Sequence, residues 1–336
     1  ILCLYRGTVN QCVIFQSEPL PKKNCLGDPD MRIAVIGQAA FGKDVLDALV
    51  EKNEEIVAVL CPPDNPSRAV DPIKSSATEH RIPVFQYKRM RDTEAIDEFR
   101  SLNVDLCVMA FVTDIVPDEI LESPTSGTIQ YHPSLLPEHR GPSSINWPII
   151  QGKTKTGLTI FWSDKGLDTG PILLQKEVAI TDTDTLGSVY FGKLYPAGIK
   201  ALVKAVEMVR DGTAPKIEQD HSKATYEGWC RSRDVVIDWN KSGPEIYNLI
   251  RGSDPSPGAN TLWNGKSIYL FNTFFNRKEH RKTPGTVTAI SDDSFSLSVP
   301  SGHITVGRVK VDRESKVTAA EFVESHGLKI GDRFGF

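Results

Sequence analysis

The sequence predicts two domains, an α/β domain with a mostly parallel sheet followed by a small β-barrel. In the first two thirds of the chain, continuous apolar runs such as IAVI, EIVAVL and VDLCVMAF alternate with segments of helical periodicity. Such runs are typical of parallel strands that are buried on both faces. Beyond residue 234, short strand signals recur at regular spacing between Gly and Asn turns, which indicates a small barrel.

Composition and charge narrow the class of protein. The chain has 336 residues, of which 40% are hydrophobic and 24% charged, so it can bury a core in each of two domains. The net charge of −4 provides no general attraction to nucleic acid, and no apolar run approaches the ~20 residues of a membrane span. The six cysteines show neither CxxC nor metal-ligand spacing, so we expect free thiols, no metal and a cytoplasmic location.

The predicted boundaries divide the chain into four parts. Residues 1–30 are expected to be an unassigned leader, because they fit no element of the fold and a plausible start follows at Met31. Residues 31–212 form the predicted catalytic domain, and residues 213–233 read as an irregular polar linker along it. Residues 234–336 form the predicted C-terminal domain.

The first domain begins with βα units. IAVI predicts a strand, GQAAFG a turn, and the apolar positions from Val45 to Leu49 one face of a helix. The glycines do not form G-x-G-x-x-G, and GQAAFGKD is one residue short of a Walker A motif, so neither a dinucleotide nor an ATP site is expected. EIVAVL, IPVFQ and VDLCVMAF predict further strands, with helices near residues 73–80 and 93–102.

Two candidate catalytic residues follow the next strand-like runs. His132 comes after TIQY, and Asp168 lies in GLDTGP after GLTIFW. We expect both runs to be parallel strands, whose carboxyl ends meet at one edge of the sheet where ligands bind. His132 and Asp168 are therefore predicted to share a cleft, although 36 positions separate them. A histidine beside a carboxylate is a proton-transfer pair.

The remaining elements complete both domains. SSINWPIIQG predicts a helix, ILLQKEVAI an edge strand, and TDTDT the cap of a long helix over residues 186–210 that is kinked at Pro196 and ended by Gly212. GPEIYNLIRGS predicts the first helix of the second domain. SIYLFNTFF, TPGTVTAI, SFSLSV and HITVGRVKV predict its strands.

The stretch HPSLLPEHRG followed by GLDTGPILL resembles the folate-dependent formyltransferase family, and the resemblance runs from about Met31 to Phe336. It implies a Rossmann-like formyltransferase domain with a mostly parallel sheet, followed by a small OB-like β-barrel domain. The family site is Asn-x-His plus a distant Asp, so the resemblance implies catalytic roles for His132 and Asp168. Gln130 stands at the Asn position; it keeps the carboxamide donor on a side chain one methylene longer.

The resemblance also implies the donor, its pocket and the chemistry. The donor is 10-formyltetrahydrofolate, used without metal or redox cofactor. His132 and Gln130 would stabilise the oxyanion formed at the formyl carbon, while Asp168 would orient His132 and help to deprotonate the nucleophile. Phe111 has a second interpretation as a core residue. The folate-pocket candidates are Ala110, Phe111, Val112, Asp164, Gly166 and Leu167.

The formyl acceptor and the oligomeric state are left open. The first hypothesis is an amine, on a small metabolite or on methionyl-tRNA; tRNA is disfavoured because Arg68 is the only basic residue of the loop before Lys74. The alternative is water, favoured by the INW and ATYEG segments, which resemble the hydrolase domain of 10-formyltetrahydrofolate dehydrogenase. A folate- or RNA-binding module without turnover is a third hypothesis, against which the intact His132 and Asp168 argue.

Overall fold

A computed structural model of the chain describes residues 31–335. The predicted leader, residues 1–30, lies outside the described residues. The first domain is built on one seven-stranded sheet. Its strands are β1 (Arg32–Gly37), β2 (Glu55–Cys61), β3 (Val84–Gln86), β4 (Leu106–Ala110), β5 (Thr128–His132), β6 (Lys155–Trp162) and β7 (Ile172–Ala179). Their order across the sheet is β3-β2-β1-β4-β5-β6-β7.

The direction of β6 differs from the prediction. Strands β1 to β5 pair in parallel, whereas β6 is antiparallel to β5, with Ile129 opposite Trp162 and His132 opposite Thr159. A parallel partner would require residues 133–154 to return to the starting edge of β5. That segment instead ends near the carboxyl end of β5, so β6 begins there and runs antiparallel to β5. Strand β7 pairs only with β6 among the described strands, so it is an edge strand as predicted.

Helices cover both faces of the sheet. Alternate residues of β1 enter different cores, Ile33 and Val35 on one face and Ala34 and Ile36 on the other, which explains the unbroken apolar run. The helices of this domain are α1 (Ala39–Glu51), α2 (Pro72–Glu79), α3 (Thr93–Ser101), α4 (Asp118–Leu121), α5 (Asn146–Ile150), α6 (Leu186–Val189) and α7 (Tyr195–Arg210).

The long helix predicted over residues 186–210 is divided. Thr185 caps α6, and a π-helical turn at Tyr190–Leu194 leads into α7. Pro196 lies in the first turn of α7. Proline has no amide hydrogen to donate to the preceding turn, so a continuous α-helix would lose a bond there, and α7 restarts where that donor is not needed. Gly212 has φ +65°, as the end of the helix requires.

The second domain is an antiparallel sheet with one helix before its strands and one helix after them. All four predicted strand segments are present, whereas β8, β13 and α9 were not predicted. Its elements are α8 (Gly243–Gly252), β8 (Ala259–Trp263), β9 (Lys266–Arg277), β10 (Val287–Ile290), β11 (Phe295–Val299), β12 (Gly302–Val311), β13 (Lys316–Thr318) and α9 (Ala319–His326).

Hydrogen bonds join the two domains. Arg251 of α8 donates to the carbonyl oxygens of Thr181 (3.1 Å) and Asp184 (2.8 Å). The side-chain nitrogen Nδ2 of Asn146 in α5 donates to the carbonyl oxygen of Gly252 at 2.9 Å. Between residues 31 and 335, none of the helices has the length and apolarity needed to cross a membrane.

Candidate active site

Gln130 and His132 lie on one face of β5. Side chains two positions apart on a strand point to the same side of the sheet. His132 is the last residue of the strand and is only 5% exposed, while Gln130 is partly buried. The strand therefore presents an imidazole and a carboxamide on the same side of the sheet.

The loop of residues 163–171 brings Asp168 to this face. The loop connects the antiparallel strands β6 and β7, and near its start Ser163 Oγ donates to Gln130 Oε1 at 3.3 Å. Asp168 Oδ2 then lies 3.6 Å from His132 Nδ1, and both side chains are about 95% buried. The predicted meeting of the two residues is thus observed, but a loop crossing the face of β5 produces it, not two parallel strand ends.

The loop between β5 and α5 holds both partners. His132 Nε2 lies 2.8 Å from the carbonyl oxygen of His139, and a carbonyl can only accept, so this nitrogen carries the proton. The amide of Gly141 donates to Asp168 Oδ2 at 2.9 Å. Nδ1 of His132 is therefore the nitrogen that faces Asp168 and can exchange a proton there.

The linker completes the wall of the site. Arg140 Nη2 donates to Gln219 Oε1 (2.7 Å) and to His221 Nδ1 (3.0 Å), so the arginine holds its loop against the linker. Gln219 Nε2 donates to the carbonyl oxygens of Asp168 (3.0 Å) and Gly170 (2.7 Å). The linker is therefore part of the walls around Asp168, which no sequence pattern indicated.

A second histidine–carboxylate pair, His139 and Glu227, is linked to the first through the His139 carbonyl that His132 contacts. His139 Nδ1 is 3.0 Å from Glu227 Oε1, and Gln151 donates to the same oxygen at 3.2 Å. His139 has φ +57°, and its amide donates to Thr225 Oγ1 at 2.8 Å. Sequence reasoning missed this pair. The only signal was the joint presence of HRG and ATYEG, whose spatial relation the sequence does not show.

The candidates after β4 line a cavity. Ala110 ends β4 and is fully buried, whereas Phe111 has φ +63° and is 46% exposed, so its interpretation as a core residue was wrong. Phe111 and Val112 line a cavity of about 260 Å³ at the carboxyl ends of the parallel strands. An exposed aromatic side chain beside such a cavity suits the flat ring of a pterin.

The candidates after β6 form a tight turn. Asp164 Oδ1 accepts hydrogen bonds from the amide of Gly166 (3.1 Å) and from Thr169 Oγ1 (2.7 Å). A Cβ on Gly166 would lie 1.9 Å from Thr169 Oγ1, so the turn requires glycine. Leu167 is 57% exposed and presents an apolar side chain next to Asp168. In the described part of the chain, no cluster of three or more His, Cys, Asp or Glu could hold a metal.

Sequence comparison covers both domains. Residues 31–206 match the profile of the family described as Formyl transferase, and residues 231–327 match that of the Formyl transferase C-terminal domain. Cytosolic 10-formyltetrahydrofolate dehydrogenase of Mus musculus is 42% identical over 278 residues, which cover 81% of this chain. The chain spans 30% of the length of that relative. Methionyl-tRNA formyltransferase of Acetivibrio thermocellus is 33% identical over 311 residues, covering 91% of this chain and all of that protein.

Structural comparison shows the same fold at low sequence identity. HypX from Aquifex aeolicus, solved in complex with tetrahydrofolic acid, superposes with a TM-score of 0.65 at 18% identity. The match covers 92% of this chain and 51% of the HypX chain. An N-formyltransferase from Helicobacter canadensis superposes with a TM-score of 0.63 over 83% of this chain.

Proposed function

Because the chain belongs to the formyl transferase family, we propose that it removes the formyl group of 10-formyltetrahydrofolate at the His132–Asp168 pair. The observation that carries the proposal is the placement of Asp168 Oδ2 at 3.6 Å from His132 Nδ1, while the His139 carbonyl holds the opposite nitrogen. The pair is buried, so its charges act in a medium of low dielectric constant, where a developing charge is strongly stabilised.

The proposed reaction exchanges one bond at the formyl carbon. A nucleophile attacks this carbon, and the carbonyl oxygen acquires a negative charge. His132, protonated on Nδ1, and the amide nitrogen of Gln130 donate to that oxygen. Gln130 can present this nitrogen because its Oε1 faces Ser163. Asp168 accepts the proton of the nucleophile directly or through water. The bond between the formyl carbon and N10 breaks, N10 takes up the Nδ1 proton of His132, and tetrahydrofolate leaves. Asp168 then returns the proton taken from the nucleophile to Nδ1.

Water is the acceptor that we favour. The helix start after β1 is a ready site for an acceptor's phosphate, because its free amides attract anions. Here Asp71 takes that position, since its two oxygens accept from the amide of Ala39 at 2.8 and 3.1 Å. A phosphate would meet a carboxylate there. The 42% identity with a 10-formyltetrahydrofolate dehydrogenase supports the same acceptor.

Transfer to an amine is the second candidate. Its support is the alignment with a methionyl-tRNA formyltransferase over that protein's full length. Two observations disfavour tRNA as the acceptor. The loop before Lys74 has a single basic residue, and the second domain has 13 basic and 12 acidic residues from Asp234 to Phe336. Such a surface offers few contacts to phosphates.

The test is turnover of 10-formyltetrahydrofolate by the purified chain in ¹⁸O-labelled water without added acceptor. Hydrolysis predicts labelled formate and tetrahydrofolate, with both products lost in His132→Ala and Asp168→Ala. Turnover only after addition of an amine or of methionyl-tRNA would make the chain a transferase. Folate binding with no turnover under any of these conditions would favour the binding module and refute the proposal.

A cytoplasmic location is part of the proposal. Cys61, Cys107 and Cys230 are free thiols, and reduced cysteines are typical of compartments with a reducing potential. Fractionation of cells that express the tagged full chain tests it; recovery in a membrane or secreted fraction would contradict it.

A further inference from the structure

We propose that Gln219, a residue of the linker, is a positioning residue for Asp168. The inference rests on the proposed function, because Asp168 is the carboxylate of the proposed reaction. The hydrogen bonds of Gln219 go to Arg140, Asp168 and Gly170, not to His132. Its effect on the reaction would be transmitted by the main chain of the loop that holds Asp168.

The nitrogen and the oxygen of the Gln219 carboxamide both form hydrogen bonds. Its nitrogen donates one hydrogen to the carbonyl oxygen of Asp168 and the other to that of Gly170, at 3.0 and 2.7 Å. Its oxygen accepts from the Arg140 guanidinium at 2.7 Å. Gln219 is 4% exposed, so water cannot replace these bonds easily. The reversed amide would place its oxygen against two carbonyl oxygens, so a single orientation is allowed.

These bonds form a closed ring around Asp168. Gln219 holds the main-chain carbonyl of Asp168, and the amide of Gly141 holds its carboxylate at 2.9 Å. Arg140 precedes Gly141 in the chain and is bonded to Gln219, which closes the ring. The linker therefore determines where the loop of Gly141 and the loop of Asp168 lie relative to each other.

The backbone conformation of Asp168 depends on these hydrogen bonds. Asp168 has φ +57°, in the left-handed region that residues with a Cβ rarely adopt. Such a conformation persists only where the surroundings hold it. Without the two bonds from Gln219, the loop can relax toward negative φ and move the carboxylate away from His132 Nδ1. A displacement of about 1 Å can cost roughly 10²-fold in rate.

The first experiment compares Gln219→Met with the wild-type chain. Methionine has a similar length and shape but makes none of the three hydrogen bonds. We expect kcat to fall about 10- to 100-fold, with KM for 10-formyltetrahydrofolate within about twofold, because the hydrogen bonds of Gln219 go to Arg140, Asp168 and Gly170 and not to the proposed folate residues. Gln219→Glu keeps the acceptor for Arg140 but places an oxygen against the two carbonyls, so we expect a similar loss of kcat.

Gln86→Met is the matched control. Gln86 forms the same kind of bridge on β3, since its nitrogen donates to the carbonyl oxygen of Pro62 (2.7 Å) and its oxygen accepts from Lys74 (2.9 Å). Three strands, β2, β1 and β4, lie between it and β5. Pro62 lines the same cavity as Phe111, so the comparison uses kcat at saturating 10-formyltetrahydrofolate, which should stay within about twofold of the wild-type value in Gln86→Met. Thermal unfolding should show that both Met variants are folded at the assay temperature.

A second readout does not depend on activity. The amide of Gly141 donates to Asp168, so its hydrogen exchange reports the position of the carboxylate. We expect faster exchange at Gly141 in both Gln219 variants and no change in Gln86→Met. A wild-type chain without turnover refutes the proposed function, whereas the exchange result still decides the position of Asp168. Unchanged kcat and unchanged exchange in the Gln219 variants would overturn the inference, as would an equal loss of kcat in Gln86→Met.

Discussion

Nε2 of His132 donates a hydrogen bond of 2.8 Å to the carbonyl oxygen of His139. This contact assigns different tasks to the two ring nitrogens. Nε2 anchors the ring to the loop that also supplies the Gly141 amide for Asp168, and Nδ1 is left to face the carboxylate. One loop thus holds both members of the pair, so their separation does not depend on the flexible ends of two side chains.

The two tasks can be separated by His132→Gln. Glutamine can still donate to the His139 carbonyl from the position of Nε2, but it has no group in place of Nδ1. We expect kcat for formyl release to fall about 10²- to 10⁴-fold, the range of general acid–base catalysis. Unfolding in urea should show that the free energy of unfolding changes less than in His132→Ala. A variant that retains wild-type kcat would show that Nδ1 is not the working nitrogen.

Gln130 is expected to contribute a hydrogen-bond donor to the oxyanion. Gln130→Ala removes the donor, and we expect kcat to fall about 10²-fold or more, the usual effect of losing one such group. Gln130→Asn restores the residue of the family pattern but shortens the side chain by one methylene, and the bond to Ser163 is lost. It should show intermediate kcat. The steady-state rates of the three proteins test this order; equal rates for Gln130→Ala and wild type would exclude the role.

The stability of the first domain should depend on pH through Asp184, whose carboxylate bonds Thr181, Ser188 and Lys193. Burial raises the pKa of Asp184, but hydrogen bonds from Lys193, Thr181 and Ser188 outweigh it and lower the pKa to about 2. The ordinary pKa is about 3.9, so the carboxylate stabilises the fold by roughly 2 kcal/mol above pH 4. This contribution is lost as the pH falls from about 4 to about 2.

Asp184→Asn measures this contribution. The free energy of unfolding in urea should be about 2 kcal/mol lower than wild type at pH 7, and the difference should shrink below pH 4. Asp211→Asn is the control, because its side chain is 59% exposed and should change stability by less than about 0.5 kcal/mol. A difference that persists undiminished at pH 2 would contradict the assignment to the ionised carboxylate.

The described cysteines should react slowly in the folded protein. Burial raises the pKa of the Cys61 thiol to about 11 and that of Cys107 to about 12. Burial, and then the charge of Asp234, raises that of Cys230 to about 11. The thiolate is the reactive form, so alkylation by iodoacetamide at pH 8 should be roughly 10²-fold slower than in urea. Peptide mass spectrometry gives the rate at each site; equal rates for Cys107 with and without urea would refute the prediction.

Most of the strands, the family and the candidate pair His132 and Asp168 could be predicted from the sequence, because each depends on local pattern. Buried strands require apolar runs, caps require Thr or Ser at fixed offsets, and His132 and Asp168 stand within motifs that a family resemblance identifies. Pro196 likewise predicted an interruption of the long helix, but it did not predict that a π-helical turn would form there.

The tertiary structure alone decided how these parts meet. The direction of β6 depends on where the chain runs between residues 133 and 154, which no period of apolar residues encodes. The contacts of Gln219 with Asp168 and of Glu227 with His139 join residues 51 and 88 positions apart. In the sequence, polar side chains of this kind indicate only a solvated linker, because a hydrogen bond between distant residues leaves no local pattern. Only the folded chain shows that the linker encloses Asp168.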